Sequence, residues 1–128
     1  MSVVGVTQVQ GRVPVTVIHL QDRINMGNVA ELEQAARQAH DQGMRHLLLD
    51  LTHAPSITSA GLRAILIIYR LLESDAPDRP ADKQEKPRKS AHMKLLNPSP
   101  EVRRTLQIAG FERFFESYVD LEKAIASF

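Results

Sequence analysis

The sequence predicts an α/β domain: a mostly parallel sheet of four to five strands, with an antiparallel strand at one edge and helices packed mainly on one face. Segments rich in β-branched residues alternate along the chain with segments of helical periodicity. The first two strand segments are separated by only three residues, which indicates a hairpin and hence an antiparallel pair. A nearly continuous apolar run at 46–51 is typical of a central strand covered on both faces.

The first half of the chain supplies three strands and a helix. Residues 3–9 and 13–20 are the two strands of the hairpin, joined by a turn at 10–12. Residues 27–42 form an amphipathic helix, which Gly43 is suited to end. Residues 45–51 form the strand that we expect in the middle of the sheet. The apolar face of this first helix consists of Val29, Leu32, Ala36 and Ala39.

A second helix is predicted to begin beside Ser59, after a loop at 52–56. Its apolar residues recur at helical spacing and predict which face is buried. That face consists of Leu62, Ile65, Leu66, Tyr69 and Leu72. The composition then changes sharply at 73–92, where three prolines interrupt a charged stretch whose only aliphatic side chains are alanines. Because such a stretch has little to bury, we expect a mobile insert within a single domain of residues 1–128.

The last part of the chain adds a strand and two helices. Residues 93–96 form the strand, and Ser99 is placed to cap a helix that has Pro100 at its first position and ends at Gly110. Asp120 is predicted to cap the final helix. The residues expected in the core of this region are Phe114, Phe115, Leu121 and Ile125.

Composition narrows the range of functions. The chain has 16 basic and 15 acidic residues, a net charge of +1, so it lacks the field that draws proteins to nucleic acid or to anionic membranes. It has no cysteine, which excludes disulfides and zinc–cysteine sites, and its histidines lack the spacing of a metal site. No signal peptide or membrane-spanning run is evident. We therefore expect a cytoplasmic protein that needs no cofactor and binds neither nucleic acid nor membrane.

Three segments resemble one known family. Residues 49–51 followed by 57–62 resemble a strand, loop and helix-start signature whose core is Asp-Ser-Ser-Gly-Leu, here Thr-Ser-Ala-Gly-Leu. Residues 95–104 with Leu106, Gly110 and Phe111 resemble its last strand–helix unit, and residues 21–32 are similar to its first loop and helix. These motifs identify a STAS-like domain of the anti-sigma factor antagonist type. The resemblance covers nearly the whole chain apart from the insert.

The resemblance implies a function and a site. In this family an anti-sigma factor that is also a serine kinase binds the unmodified domain, and phosphorylation separates the two proteins. Ser59 falls on the phosphorylated serine, with Thr58 as a second hydroxyl where the family has an acidic residue. A phosphatase and a homodimer are further interactions that the resemblance allows, and no catalysis is expected. The residues expected to bind the partner are Asp22, Asn25, Asn28, Ser56, Thr58, Ser59, Gly61 and Arg63.

Alternatives remain at this point. Ser and Thr are favoured helix caps, so Thr58 or Ser59 could serve only as a cap, and a cap can also be a kinase substrate. A scaffold subunit of a stressosome-like or lipid-transport complex, with Ser59 never modified, fits the same resemblance. The weakest alternative is a small hydrolase that uses Ser59, His53 and Asp50 as nucleophile, base and orienting carboxylate.

Overall fold

Five strands form one sheet in the order β1-β2-β3-β4-β5, in which β1 is antiparallel to β2 and the remaining neighbours are parallel. The structure is a computed structural model that describes residues 3–74 and 89–128. The predicted fold class is confirmed, with the antiparallel strand at the edge. The elements are β1 (Val4–Gln10), β2 (Pro14–Leu20), α1 (Val29–Asp41), β3 (Leu47–Asp50), α2 (Ser59–Ser74), β4 (Met93–Leu96), α3 (Pro100–Ile108), a 3-10 turn (Phe111–Arg113), β5 (Ser117–Tyr118) and α4 (Leu121–Ala126).

Strand β3 lies in the middle of the sheet, as predicted, and all four of its residues are buried. Leu47 and Leu49 belong to the main core, which α1, α2 and α3 cover. Leu48 points to the opposite face, into a smaller core that α4 covers. Successive side chains of a strand point to opposite faces, so a strand covered on both sides is apolar at nearly every position.

Helix α2 is rotated slightly from its predicted orientation. Ile65 and Leu72 are buried as expected, whereas Leu62, Leu66 and Tyr69 are only half-buried. Small residues allow the helix to approach the core closely, and a prediction based on the positions of large apolar residues does not detect them. The buried face consists of Gly61, Ala64, Ile65, Ile68 and Leu72.

Both predicted caps near the end of the chain are present. Ser99 accepts a hydrogen bond from the Val102 amide at 3.2 Å, and Asp120 accepts one from the Glu122 amide at 2.9 Å. The prediction that α4 buries Leu121 is wrong, because that side chain is 44% exposed. The short helix contacts the sheet through its second half, at Ala124 and Ile125, which leaves its first residue outside the contact.

The ends of the predicted insert are part of the folded domain. Helix α2 continues to Ser74, and the buried Ser90 hydroxyl donates a hydrogen bond to Glu73 Oε2 at 2.8 Å. The Ser90 hydroxyl oxygen in turn accepts hydrogen bonds from the His92 and Met93 amides at 3.0 Å each. Residues 75–88, which make up most of the predicted insert, lie outside the described residues.

Candidate functional site

The first loop and the beginning of α2 are joined by an isolated parallel bridge between Ile24 and Ile57. Next to this bridge, the Thr58 amide and hydroxyl both donate to the Ile24 carbonyl oxygen, at 3.2 and 2.9 Å. The Thr58 hydroxyl oxygen also accepts a long hydrogen bond, 3.4 Å, from the Gly61 amide. Thr58 therefore caps α2 and fastens it to the first loop.

Ser59 is the first residue of α2, and its side chain is exposed. Within residues 3–74 and 89–128, nothing forms a hydrogen bond with its hydroxyl. The first turn of α2 contains no acidic residue, and the unpaired amides and the dipole of a helix N-terminus favour negative charge. The Ser59 hydroxyl is thus accessible in surroundings that would stabilise an added anion.

Two asparagines of the first loop hold its shape. The Asn28 side chain accepts from the Asn25 amide and donates to the Arg23 carbonyl, both at 2.9 Å. The Asn25 side chain accepts from the Gly27 amide at 2.8 Å. Asn25 and Asn28, which the sequence predicts as partner-binding residues, are therefore occupied with bonds inside the loop. Asp22 lies in the same loop with an exposed side chain.

The other predicted contact residues differ in accessibility. Ser56 is half-buried, and Arg63 is exposed one helical turn after Ser59. Gly61 is buried, and a Cβ atom there would lie 2.8 Å from Ile57 Cγ2 and 3.2 Å from Ile24 Cγ2. Gly61 consequently packs against the bridge, beneath the surface.

Met26 was not predicted as a site residue. Its side chain is 86% exposed, in the loop that Thr58 joins to α2. A methionine among the polar residues of this loop is the sequence signal that could have identified it, because a flexible apolar side chain in that position suits a contact surface. The exposed surface around Ser59 thus combines charged, polar and apolar groups.

Asp50 takes part in a different network from the one that the hydrolase hypothesis requires. Its carboxylate bonds to His19 Nδ1 at 2.7 Å and accepts from the Thr52 amide at 3.0 Å. The His19 Nε2 atom lies 2.9 Å from the Thr7 hydroxyl. In the described part of the chain no hydrogen bond joins Ser59 or His53 to Asp50. The predicted nucleophile, base and carboxylate are therefore not assembled.

The surroundings of Asp50 favour its charged form. Burial alone would raise its pKa, but hydrogen bonds from the side chain and backbone of Thr52 and from His19 outweigh burial and hold the pKa below its ordinary value of 3.8. A carboxylate with a lowered pKa in the folded state contributes stability that is fully present above the unfolded value. This contribution is lost as the pH falls from 3.8 through the folded value.

Replacing Asp50 with asparagine is therefore expected to lower the free energy of unfolding by about 1–3 kcal/mol at neutral pH, since charged hydrogen bonds are lost. The difference from the wild type should narrow as the pH falls below about 4, where the wild-type carboxylate also becomes neutral. Urea denaturation over a pH series measures both effects. Asp22→Asn, the same change on an exposed side chain, is the control. If the difference in the free energy of unfolding between the wild type and Asp50→Asn does not change with pH, the stabilisation does not come from the charge of Asp50.

Among the described residues, no helix is long and apolar enough to cross a membrane. The same residues contain no group of three or more histidine, aspartate or glutamate side chains arranged to hold a metal ion.

The fold and the site define a small α/β domain that presents an exposed serine at the start of a helix, beside a loop fastened to it. The chain belongs to the STAS domain family, whose model matches residues 6–76. It is 29% identical over 109 residues to BtrV of Bordetella bronchiseptica, which is named as a candidate anti-sigma factor antagonist. That match covers 85% of this chain and 82% of BtrV.

Solved structures share the fold. A candidate anti-sigma factor antagonist from Thermotoga maritima matches with a TM-score of 0.75 and 18% identity, over 94% of this chain and 90% of that one. The anti-sigma factor antagonist SpoIIAA in its unphosphorylated form matches with a TM-score of 0.73 and 22% identity, over 95% and 92% of the two chains. The phosphorylated form of SpoIIAA from Bacillus matches with a TM-score of 0.66, also at 22% identity, over 95% and 96%.

Proposed function

We propose that this protein is an anti-sigma factor antagonist that works as a phosphorylation-controlled partner switch. In its unmodified form it binds an anti-sigma factor that is also a serine protein kinase, and phosphorylation of Ser59 separates the two. The protein acts in the cytoplasm by binding alone and catalyses no reaction. Membership of the STAS family, the name of BtrV and the existence of SpoIIAA in unphosphorylated and phosphorylated forms support this proposal.

The proposal rests on a difference in hydrogen bonding and exposure between two adjacent hydroxyls, those of Thr58 and Ser59. The Thr58 hydroxyl is engaged with the Ile24 carbonyl oxygen, whereas the Ser59 hydroxyl is exposed and has no partner in the described part of the chain. A kinase needs a hydroxyl that can enter its active site, so Ser59 is the better acceptor. The cap and the phosphorylation site are then two separate residues, and modification leaves the cap in place.

The partner surface consists of the exposed and half-buried residues around this hydroxyl. Asp22 and Met26 lie on the first loop, and Ser56 and Arg63 lie on either side of Ser59 along the chain. A phosphate on Ser59 carries a charge near −2 and is stabilised within its own domain by the N-terminus of α2. The same phosphate opposes docking, because it must be desolvated and is repelled by acidic groups of the partner.

Partner capture from the native cell extract, followed by mapping of phosphorylated residues, tests the proposal. We expect a complex with a serine kinase and phosphate on Ser59 of the released protein. Ser59→Ala should abolish phosphate incorporation, and Thr58→Val should retain it. Recovery of a large stable assembly, without phosphate on either residue, would contradict the switch and support the scaffold function.

A further inference from the structure

A cavity of about 190 Å³ lies between α3, the 3-10 turn and the edge of the sheet formed by β4 and β5. Its apolar lining includes Leu95, Leu106 and Phe115, which are all buried, together with the half-buried Phe111. The rings of Phe111 and Phe115 are 6.1 Å apart between centroids. None of the residues predicted to bind the partner lines this cavity.

Charged side chains also line this cavity. Lys89 and Arg103 are exposed, and no residue of the described parts of the chain forms an ion pair with either side chain. Glu112 is the one acidic residue among the described residues that line the cavity, and its carboxylate accepts a hydrogen bond from Gln107 Nε2 at 3.2 Å. Among the described lining residues, two cations stand against one carboxylate that is already engaged, which leaves a net positive charge beside the apolar side chains of the cavity.

We propose that this cavity binds a small aryl carboxylate, with the ring against Phe111 and Phe115 and the carboxylate at Arg103 and Lys89. A closed cavity of about 150 Å³ accommodates benzene, so this open cavity of about 190 Å³ has room for one aromatic ring and a short carboxylate arm that reaches the polar part of its lining. Aromatic side chains favour an aromatic ligand through edge and offset contacts. Arg103 offers the paired donors that match a carboxylate.

Titration of ¹⁵N-labelled protein with phenylacetate, followed by NMR, tests this site. We expect saturable shifts of the amides of Leu95, Arg103, Leu106, Phe111 and Ser117, with a weak, millimolar to sub-millimolar affinity. Phenylacetamide, which has the same shape and no charge, should bind more weakly. The Ser59→Asp variant should bind phenylacetate as the wild type does, because the cavity does not depend on the proposed switch.

Arg103→Gln is expected to weaken phenylacetate roughly threefold, and Arg103→Gln with Lys89→Gln roughly tenfold, as befits exposed ion pairs. Arg104→Gln changes the neighbouring exposed arginine, which does not line the cavity, and should leave the affinity unchanged. The proposal is overturned by non-saturable shifts, by shifts centred elsewhere, by equal affinity for phenylacetamide, or by equal effects of the Arg103 and Arg104 variants.

Discussion

Replacing Ser59 with aspartate is expected to weaken binding of the anti-sigma factor by roughly 30- to 1000-fold, which corresponds to about 2–4 kcal/mol. The carboxylate places negative charge where the proposed phosphate would lie, at the proposed partner surface. The free energy of unfolding should stay within about 0.5 kcal/mol of the wild type or rise slightly, because the N-terminus of α2 favours an acidic side chain. Titration calorimetry with the purified partner and urea denaturation measure the two effects separately.

Ser59→Asn and Ser59→Ala are the matched controls for this experiment. Asparagine has the size of aspartate without its charge, so its smaller loss of affinity isolates the effect of the charge. Alanine should bind as the wild type does and should cost little stability, because the structure assigns the cap to Thr58. If the wild type and the three variants bind the partner with equal affinity, Ser59 does not control binding. If Ser59→Asp and Ser59→Asn lose the same affinity, the effect comes from the size of the side chain and not from its charge.

Replacing Gly61 with valine is expected to lower the free energy of unfolding by about 2–3 kcal/mol through overpacking. Even the first added atom would lie 2.8 Å from Ile57 Cγ2 and 3.2 Å from Ile24 Cγ2, so these side chains or α2 must move. Ile24 carries the carbonyl that Thr58 binds, and its displacement should therefore disturb the first loop as well. Urea denaturation measures the loss of stability, and amide shifts of residues 22–28 report the change in the loop.

Ala60→Val is the matched control, because residue 60 precedes Gly61 in the same turn of α2 and is only half-buried. It introduces the same β-branched side chain, whose intrinsic cost in a helix is roughly 0.5 kcal/mol. Valine is a better helix former than glycine, so helix propensity alone would not destabilise Gly61→Val. If Gly61→Val loses no more stability than Ala60→Val, the close packing of Gly61 against the bridge is not what holds the first loop.

Local patterns were sufficient to predict most of the fold. The nearly continuous apolar run at 46–51 predicted the central strand, because a strand covered on both faces need not alternate between apolar and polar residues. Ser99 followed by Pro100 predicted the beginning of α3, since a cap and its helix are neighbours in sequence. Features that depend only on neighbouring residues, such as a helix cap or a buried strand, can be predicted from the sequence alone. The exposed position of Leu121 was missed because it depends on where α4 meets the sheet.

The sequence by itself determined the α/β topology, the resemblance to the STAS family and the position of two hydroxyls at the start of α2. Only the tertiary structure decided that Thr58 is the cap, while Ser59 has no hydrogen-bond partner among residues 3–74 and 89–128, because the carbonyl that engages Thr58 belongs to Ile24, 34 residues earlier. Likewise, Asp50 bonds to His19, 31 residues away, and not to the nearby His53. Such pairs form where strand pairing and helix packing bring distant segments together, so they cannot be predicted from the residues that neighbour each of them in the sequence.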